Sequence, residues 1–323
     1  MTELERAIHA QPDELRRLAS LDLPPDIGRL AGGERVWLVG TGTSLHAAEL
    51  GALMFARAGM DARFASSMEF ARWAPLREDD AVVVLTHTGE TAYAQASRLR
   101  ALDTGAETLT LTADGVGWPE AIETGSKERS HTYTRSYTAA LTVLALIAGE
   151  LGADGLGRDA VVAAADATEK AIAEPGLDGL PEPARLLVIT GSGPGAVTAR
   201  EGALKLREAA RLAAEGYDAE MLLHGSAVPL GAEDAILVLG SGRDSDHFLG
   251  RLANAARAEN VPVAELDQPV PSDELMAQIP LTARLQLLAE RRATAGGHDP
   301  DRVITGAWDD ERLWATGAPD ARV

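Results

Sequence analysis

The stretch from residue 81 to residue 91 constrains the fold more than any other part of the sequence. It opens with an uninterrupted apolar run, Ala81-Val-Val-Val-Leu85, which predicts a strand buried on both faces. It ends in Thr86-His-Thr-Gly-Glu-Thr91, which places three hydroxyls beside a glycine just before a predicted helix over 91–102. Free backbone N–H groups and the positive end of a helix dipole favour an anion there. The stretch therefore indicates either a phosphate site or a helix start that its own threonines cap.

Two sets of matching segments indicate that the chain contains two similar halves. Gly40-Thr-Gly42 corresponds to Gly191-Ser-Gly193, and the strand that begins at Asp80 corresponds to the one that begins at Asp234. Strands that alternate with helices predict parallel sheets covered on both faces, and ligands in such sheets bind beyond the carboxyl ends of the strands. We therefore predict an α/β fold of two tandem units, each a parallel sheet flanked by helices in a flavodoxin-like, three-layer αβα arrangement.

Composition shifts and helical periodicity predict the domain boundaries. Within the second half, the pattern predicts a long helix over 196–214 and another over 246–258. The predicted segments are an N-terminal helical segment over 1–28, a first unit over 29–152, a connecting helix over 153–182, a second unit over 183–295 and a C-terminal tail over 296–323.

Charge and composition exclude several classes of partner and site. The formal net charge of −19 argues against nucleic acid and against an anionic membrane. No window reaches the ~18 consecutive apolar residues of a membrane span, and the N-terminus lacks the order of a signal peptide, so we expect a cytoplasmic protein. The absence of cysteine excludes disulfides, thiolate metal sites and cysteine nucleophiles. The only lysines are Lys127, Lys170 and Lys205, which limits Schiff-base chemistry.

The glycine loops match part of the fingerprint of dinucleotide-binding proteins. Gly191, Gly193 and Ala196 fit the second loop to that pattern, whereas Leu45 breaks it in the first. A nicotinamide site also needs an acid at the end of a second strand about twenty residues further on. The predicted helix over 196–214 occupies that region, so we expect no such acid. We therefore predict no cofactor, and we predict no metal site.

Glu208 and His224 are candidates for general acid–base catalysis. A carboxylate and a histidine in one pocket can open a sugar ring and move a proton between neighbouring carbons. Lys205 lies one helical turn before Glu208. The bare residues equally allow a surface charge that pairs with Lys205 or Arg211, and an ordinary loop histidine.

Four segments in order, Gly42-Thr-Ser44, Thr86 to Thr91, Glu201-Gly-Ala-Leu-Lys-Leu-Arg-Glu208 and His224-Gly225, resemble the sugar isomerase (SIS) family. The resemblance covers nearly the whole chain. It is nearest to the isomerase domain of glucosamine-6-phosphate synthase and to phosphosugar deglycases and deaminases, and it implies two tandem SIS units.

The resemblance also implies roles for individual residues. Glu208 corresponds to the proton-transfer base and His224 to the ring-opening histidine, which relatives take from the partner subunit, so a homodimer with shared active sites is implied. Lys205 accompanies them as a third candidate catalytic residue. The residues implied to hold the sugar phosphate are Ser44, Thr86, Thr88 and Thr91. Thr43 and His87 are implied to contact the sugar, and Glu128 corresponds to a family glutamate that precedes the loop lining the sugar.

The sequence departs from the family at several positions. His87 replaces a common glutamine, Ser226 replaces a common proline, and Trp308 stands where the synthase has its Schiff-base lysine. The chain begins close to the first sugar-binding unit, so we expect no glutaminase domain. The implied reaction is isomerisation, deamination or deglycation of a 6-phosphorylated amino sugar or ketose, of the glucosamine 6-phosphate or fructose 6-phosphate class, without a Schiff-base lysine. The alternatives are a glutamine-independent aminotransferase or isomerase resembling the synthase, and a non-catalytic phosphosugar-binding protein.

Overall fold

The computed structural model describes residues 1–240, 247–267 and 273–319. It divides into two compact units. The sheet A unit comprises residues 13–129, 135–162 and the described residues from 304 onward; the sheet B unit comprises residues 1–12, 130–134 and the described part of 163–303. The domain boundaries predicted from the sequence stay a prediction.

The strands and helices of the described ranges alternate along most of the chain. The strands are β1 Val36–Gly40, β2 Ala62–Ser66, β3 Ala81–Leu85, β4 Glu107–Thr112, β5 Ala121–Glu123, β6 Leu187–Gly191, β7 Ala214–Asp218, β8 Ala235–Leu239 and β9 Val263–Leu266. The α-helices are α1 Glu3–His9, α2 Gln11–Ala19, α3 Thr43–Arg57, α4 Ser67–Trp73, α5 Ala92–Thr104, α6 Arg135–Glu150, α7 Arg158–Ala173, α8 Pro194–Ala210, α9 Ala219–Met221, α10 Phe248–Ala258, α11 Gln278–Ala295 and α12 Glu311–Trp314.

Sheet A is a parallel sheet in the order β2-β1-β3-β4-β5. Its central strands β1 and β3 are buried throughout, because helices cover both faces. On one face Val82 and Val84 pack against α4 and α5. On the other face Gly51 of α3 lies against Leu38 and Leu144, so α3 and α6 cover that side. This strand order is flavodoxin-like, and its topological switch point lies between β1 and β3.

Sheet B is parallel in the order β7-β6-β8-β9, which repeats the order of the first four strands of sheet A. One face packs against α8, α11 and α1, where Leu4 and Ile8 join the core. The other face packs against α10 and the segment around Leu222. The predicted α/β class, with two parallel sheets flanked by helices, is confirmed.

Paired details at the strand ends repeat in the two units. Gly42 and Gly193, which precede α3 and α8, have φ of 54° and 53° with ψ of −130° and −127°. An arginine before the first central strand pairs with an aspartate before the second, Arg35 with Asp80 and Arg185 with Asp234. Burial tends to raise the pKa of Asp80, but hydrogen bonds from Arg35 and its neighbours hold it below its ordinary value. The two ion pairs anchor the N-terminal ends of the buried central strands.

The long helix predicted over 196–214 is wrong at its C-terminal end. Helix α8 ends at Ala210, because Arg211 adopts a left-handed conformation with φ 56°, and β7 begins at Ala214. The sequence also did not predict helix α4 or strand β5. The helix predicted over 246–258 is observed from Phe248, and residue 246 lies outside the described residues. None of the helices in the described ranges combines the length and apolarity that crossing a membrane requires.

Candidate functional site

The loop between β1 and α3 carries the first two predicted ligand-binding residues. A Cβ atom on Gly40 would lie 2.4 Å from the carbonyl carbon of Ser44, so glycine lets the helix start directly on the strand end. Gly42 takes a backbone conformation that other residues avoid, and α3 begins at Thr43. Thr43 and Ser44 are therefore held, half-buried, at the carboxyl end of β1.

Thr86 follows β3 on the other side of the switch point. Its side chain is buried, with 4% of the residue exposed, and its Oγ1 has no hydrogen-bond partner among the described residues. The next helix, α5, has Thr91 as its N-cap, and the Thr91 side chain makes no capping hydrogen bond. An unsatisfied buried hydroxyl beside an uncapped helix start favours a bound anion.

Thr88 and Gly89 shape the loop that leads into α5. Thr88 Oγ1 accepts a hydrogen bond from the Glu90 N–H at 3.1 Å, which leaves the hydroxyl proton able to donate. Gly89 has φ 72°, and a Cβ atom there would lie 2.8 Å from Val116 Cγ1. Gln95 Nε2 donates to the Gly89 carbonyl at 2.7 Å. Hydrogen bonds between side chains and the loop backbone therefore hold the loop in one shape.

His87 and Glu128 contact each other in the same unit. The Glu128 N–H donates to His87 Nε2 at 3.0 Å, which requires a neutral ring protonated on Nδ1. Burial lowers the pKa of His87 below 6.5, although the charge of Glu128 opposes that shift. The Glu128 carboxylate accepts hydrogen bonds from the N–H groups of Arg135 and Ser136, at 3.3 and 2.9 Å, and so caps α6. Both side chains thus have a structural role beside the predicted sugar contact.

Replacing His87 with glutamine should remove a pH-dependent loss of stability. The unfolded chain takes up a proton on His87 below pH 6.5, whereas the buried ring resists it, so this residue reduces stability as the pH falls through 6.5. The glutamine oxygen can accept the same hydrogen bond without titrating. Urea unfolding should give similar stabilities at pH 7.5, with the variant favoured by up to about 1.4 kcal/mol per pH unit below 6.5. Parallel pH curves for both proteins would contradict this account.

The sheet B unit contains a buried cluster of charges on α8. The Lys205 ammonium is fully buried and donates to Glu208 Oε2 at 2.7 Å and to the Tyr133 carbonyl at 3.4 Å. It also donates to the Thr132 carbonyl and lies 3.5 Å from Glu201 Oε1. The Lys205 side chain thus lies among two carboxylates and two carbonyl oxygens, and its hydrogen bond holds Glu208 in place. The structure contains the ion pair between Lys205 and Glu208 that the sequence allowed.

The Glu208 side chain is 23% exposed, whereas the side chains of Glu201 and Lys205 are buried. A partly exposed carboxylate that a buried ammonium holds in position suits a general base. Glu201 was missed as a member of this cluster. Its spacing of four residues before Lys205 on one helix was the signal that could have identified it.

His224 lies on an exposed kink of the sheet B unit. The helical turn Leu222–Ser226 is broken at His224, with ψ 45°, and at Gly225, with φ 110°. The His224 side chain makes no hydrogen bond or ion pair with the rest of the described chain. The Tyr217 hydroxyl of the neighbouring strand β7 donates to the Glu215 carboxylate.

The expectation that no acid follows the second strand of the second unit is wrong. Because α8 ends early, β7 is that second strand, and it ends at Asp218. The carboxylate is already used: Asp218 Oδ1 accepts hydrogen bonds from the N–H groups of Glu220 and Met221, at 2.9 and 3.4 Å. Within the described ranges, no group of three or more histidine, aspartate or glutamate residues is arranged to hold a metal ion.

The predicted site residues thus form two groups, one in each unit. In the sheet B unit, Lys205 and Glu208 touch, and His224 makes no hydrogen bond to either. Trp308 lies on an exposed turn of the tail, with 74% of the residue accessible. The group in the sheet A unit is Thr43, Ser44, Thr86, His87, Thr88, Thr91 and Glu128.

Comparison with known proteins identifies relatives along nearly the whole chain. A scan against protein-family models finds no match. The glutamine–fructose-6-phosphate aminotransferase [isomerizing] of Thermococcus kodakarensis is 28% identical over 339 residues, covering 93% of this chain and 54% of that protein. The chain therefore spans about half the length of the curated relatives it matches.

Solved structures show the same fold. A tagatose-6-phosphate ketose/aldose isomerase from Escherichia coli superposes with a TM-score of 0.80 at 20% identity, covering 96% of this chain and 97% of that one. A glucosamine-6-phosphate deaminase from Thermotoga maritima gives a TM-score of 0.76 at 17% identity, covering 93% and 97%. The chain is therefore a sequence relative of glutamine–fructose-6-phosphate aminotransferases with the fold of phosphosugar isomerases, which confirms the resemblance to the sugar isomerase family that its motifs indicated.

Proposed function

We propose that the chain is a phosphosugar-processing enzyme of the SIS type, built from two tandem SIS units. Its substrate is a 6-phosphorylated amino sugar or ketose, which it deaminates, deglycates or isomerises. The relatives support the substrate class: the Thermococcus protein is named for fructose 6-phosphate, and the Thermotoga protein for glucosamine 6-phosphate.

The sheet A unit holds the phosphate in this proposal. The hydroxyls of Ser44, Thr86 and Thr88, with the starts of α3 and α5, supply donors at the switch point of the sheet. The net charge of −19 makes such local donors necessary, because the chain as a whole repels an anion.

Glu208 acts as the base that moves the proton. The observation that carries this assignment is its carboxylate, which accepts a hydrogen bond from the buried Lys205 ammonium at 2.7 Å and is 23% exposed. His224 assists opening of the sugar ring. Glu208 then transfers the C2 proton to C1 through an enaminol, and water hydrolyses the resulting imine, which releases ammonia. An isomerisation uses the same proton transfer through an enediol.

Two other functions are weighed against this one. A glutamine-independent aminotransferase would need a neutral lysine as nucleophile, and the two carboxylates around Lys205 oppose that. A non-catalytic phosphosugar-binding protein is favoured by one feature, the exposed Trp308 at the position of the family's Schiff-base lysine. Such a protein would have no need for the Lys205–Glu208 pair.

Ammonia release from glucosamine 6-phosphate, with exchange between glucose 6-phosphate and fructose 6-phosphate followed in the same preparation, tests the proposal. Ammonia release that depends on Glu208 would support a deaminase, and exchange alone would support an isomerase. Ligand-induced stabilisation without either reaction would instead support the binding protein. No response to any of these sugar phosphates would contradict the proposed substrate class.

A homodimer with shared active sites forms part of the proposal. The exposed His224 without side-chain partners supports it, and three exposed apolar side chains, Met221, Leu223 and Val228, lie in the same segment. Co-expression of Glu208→Gln with His224→Gln should then restore about a quarter of the wild-type activity, because half of the dimers are mixed and each has one complete site. Purified variants mixed without subunit exchange serve as the control. No restoration in the co-expressed sample would contradict shared sites.

A further inference from the structure

Three buried threonine hydroxyls of sheet A have no hydrogen-bond partner among the described residues. They are those of Thr86, 4% exposed, and of Thr110 and Thr112, which are fully buried. Buried hydroxyls are nearly always paired, and an unpaired one costs stability. A cluster of three on neighbouring strands therefore calls for a ligand or a bound water as the missing partner.

The three hydroxyls lie on one face of the sheet. In the parallel register of β3 and β4, Val84 is the partner of Thr110, and the Thr86 N–H donates to the Leu111 carbonyl at 3.0 Å. Side chains of paired residues point to the same face, so Thr86 and Thr112 are neighbours on the face that Val84 shares with α5. Thr86 and Thr112 are on neighbouring strands, which lie about 4.8 Å apart. Thr110 is two residues before Thr112, which places it about 6.6 Å closer to the start of β4.

The backbone of Thr112 is firmly held while its hydroxyl is not used. Its carbonyl accepts hydrogen bonds from both the N–H and the Oγ1 of Thr124, at 2.8 and 3.1 Å. By contrast Thr108, nearest the start of β4, donates its hydroxyl to the Ala106 carbonyl at 2.8 Å. The unpaired hydroxyls are thus those nearer the carboxyl edge, where the start of α5 and the loop of Thr88 lie.

We infer that Thr112 is a specificity-determining residue for phosphate. Its hydroxyl and that of Thr86 form an inner pair of donors for a phosphoryl oxygen of the ligand, directly or through one bound water. The pair distinguishes a phosphate monoester from an unphosphorylated sugar. This inference rests on the proposed function, in which the sheet A unit holds the phosphate.

Thr110 provides a matched control for the test. It has the same side chain, face, burial and lack of a partner as Thr112, and differs mainly in its depth. Thr110→Val and Thr112→Val keep the side-chain shape, so both should fold, and both should raise the melting temperature of the ligand-free protein by removing an unpaired hydroxyl. Only Thr112→Val should weaken phosphate binding.

The experiment measures the affinity of inorganic phosphate, glucose 6-phosphate and glucose by calorimetry for the full chain. Thr112→Val should weaken both phosphate ligands about tenfold and leave glucose unchanged, as expected for a lost hydrogen bond to a charged group. Thr110→Val should remain within twofold of the wild type. Thr86→Val is the positive control, with a loss at least as large as that of Thr112→Val.

Two results would overturn the inference, and they differ in what else they affect. Equal affinities in Thr112→Val and the wild type, with a loss in Thr86→Val, would reject Thr112 alone and leave the phosphate site in place. Equal losses in Thr110→Val and Thr112→Val would reject it too, because depth would then not matter. A wild-type protein that binds neither phosphate ligand would overturn the inference and the proposed function together.

Discussion

Glu208→Gln should lower kcat by a factor of about 10²–10⁴ and leave the affinity for the sugar phosphate within a few-fold. The amide oxygen can still accept the hydrogen bond from Lys205 Nζ, now 2.7 Å from Glu208 Oε2, so the side chain keeps its position and loses only its basicity. The proposed phosphate donors lie in the other unit and are unchanged. Steady-state kinetics and calorimetric binding of glucose 6-phosphate measure the two effects separately.

Glu259→Gln is a suitable control for that experiment. Glu259 is exposed at the end of α10 and belongs to neither group of site residues, so its variant should retain full turnover. Both variants should melt close to the wild type. Normal turnover in Glu208→Gln would remove Glu208 from the mechanism, and an equal loss of binding and turnover would indicate a general structural role.

Lys205→Met should destabilise the protein by about 3–5 kcal/mol, the usual cost of removing one partner from a buried ion pair. Glu201 is fully buried, and the substitution removes the positive charge that lies 3.5 Å from its carboxylate. The carbonyls of Thr132 and Tyr133 lose their donor as well. Urea unfolding monitored by circular dichroism should show a lower midpoint and, at native conditions, a population of unfolded chains.

Lys170→Met is the matched control, because Lys170 is an exposed lysine in the last turn of α7. Its removal should change the free energy of unfolding by less than about 0.5 kcal/mol. If the two lysine variants unfold alike, Lys205 does not hold the cluster together. The double variant Glu201→Gln with Lys205→Met should recover part of the loss, since it removes the buried carboxylate along with its cationic partner.

The strand, loop and helix from residue 81 to residue 102 could be predicted well from the sequence. A valine-rich run has no polar position that could face solvent, so it indicates a strand buried on both faces. The threonines and glycine that follow end the strand and start a helix. Gly42 and Gly193 have nearly the same dihedral angles in the structure. Asp80 and Asp234 each pair with an arginine at the corresponding position of their unit. Local chemistry alone was enough for these features.

The end of α8 and the start of β7 could not be predicted in the same way. The segment Ala214-Glu-Gly-Tyr-Asp218 has no alternation of apolar and polar residues, and nothing local distinguishes it from a continuing helix. Gly216 shows why it is a strand: a Cβ atom there would lie 2.4 Å from the backbone of Arg200, so the helix packs directly on it. The same misplacement led to the missed acid, Asp218.

The same distinction, between what the sequence predicts and what only the structure shows, applies to the site residues. The hydroxyl-rich loop at Thr86–Thr91 and the spacing of Glu208 and His224 point to the chemistry from the sequence alone, because side-chain type and order along the chain carry that information. Whether a side chain is used elsewhere is a matter of three-dimensional contacts. Glu128 is the example: its carboxylate caps α6 through two backbone N–H groups, which no local pattern reveals.

The α/β class, the strands buried on both faces, the hydroxyl-rich loop and the resemblance to the sugar isomerases could all be recognised in the sequence, because they depend on residue type and short-range spacing. By contrast, the burial of Lys205 between two carboxylates and the unpaired hydroxyls that Thr86, Thr110 and Thr112 place on one face of the sheet became visible only in the folded chain. Burial and pairing depend on segments far apart in the chain. Whether a charge or hydroxyl is solvated, paired or left for a ligand is therefore settled only when the chain has folded.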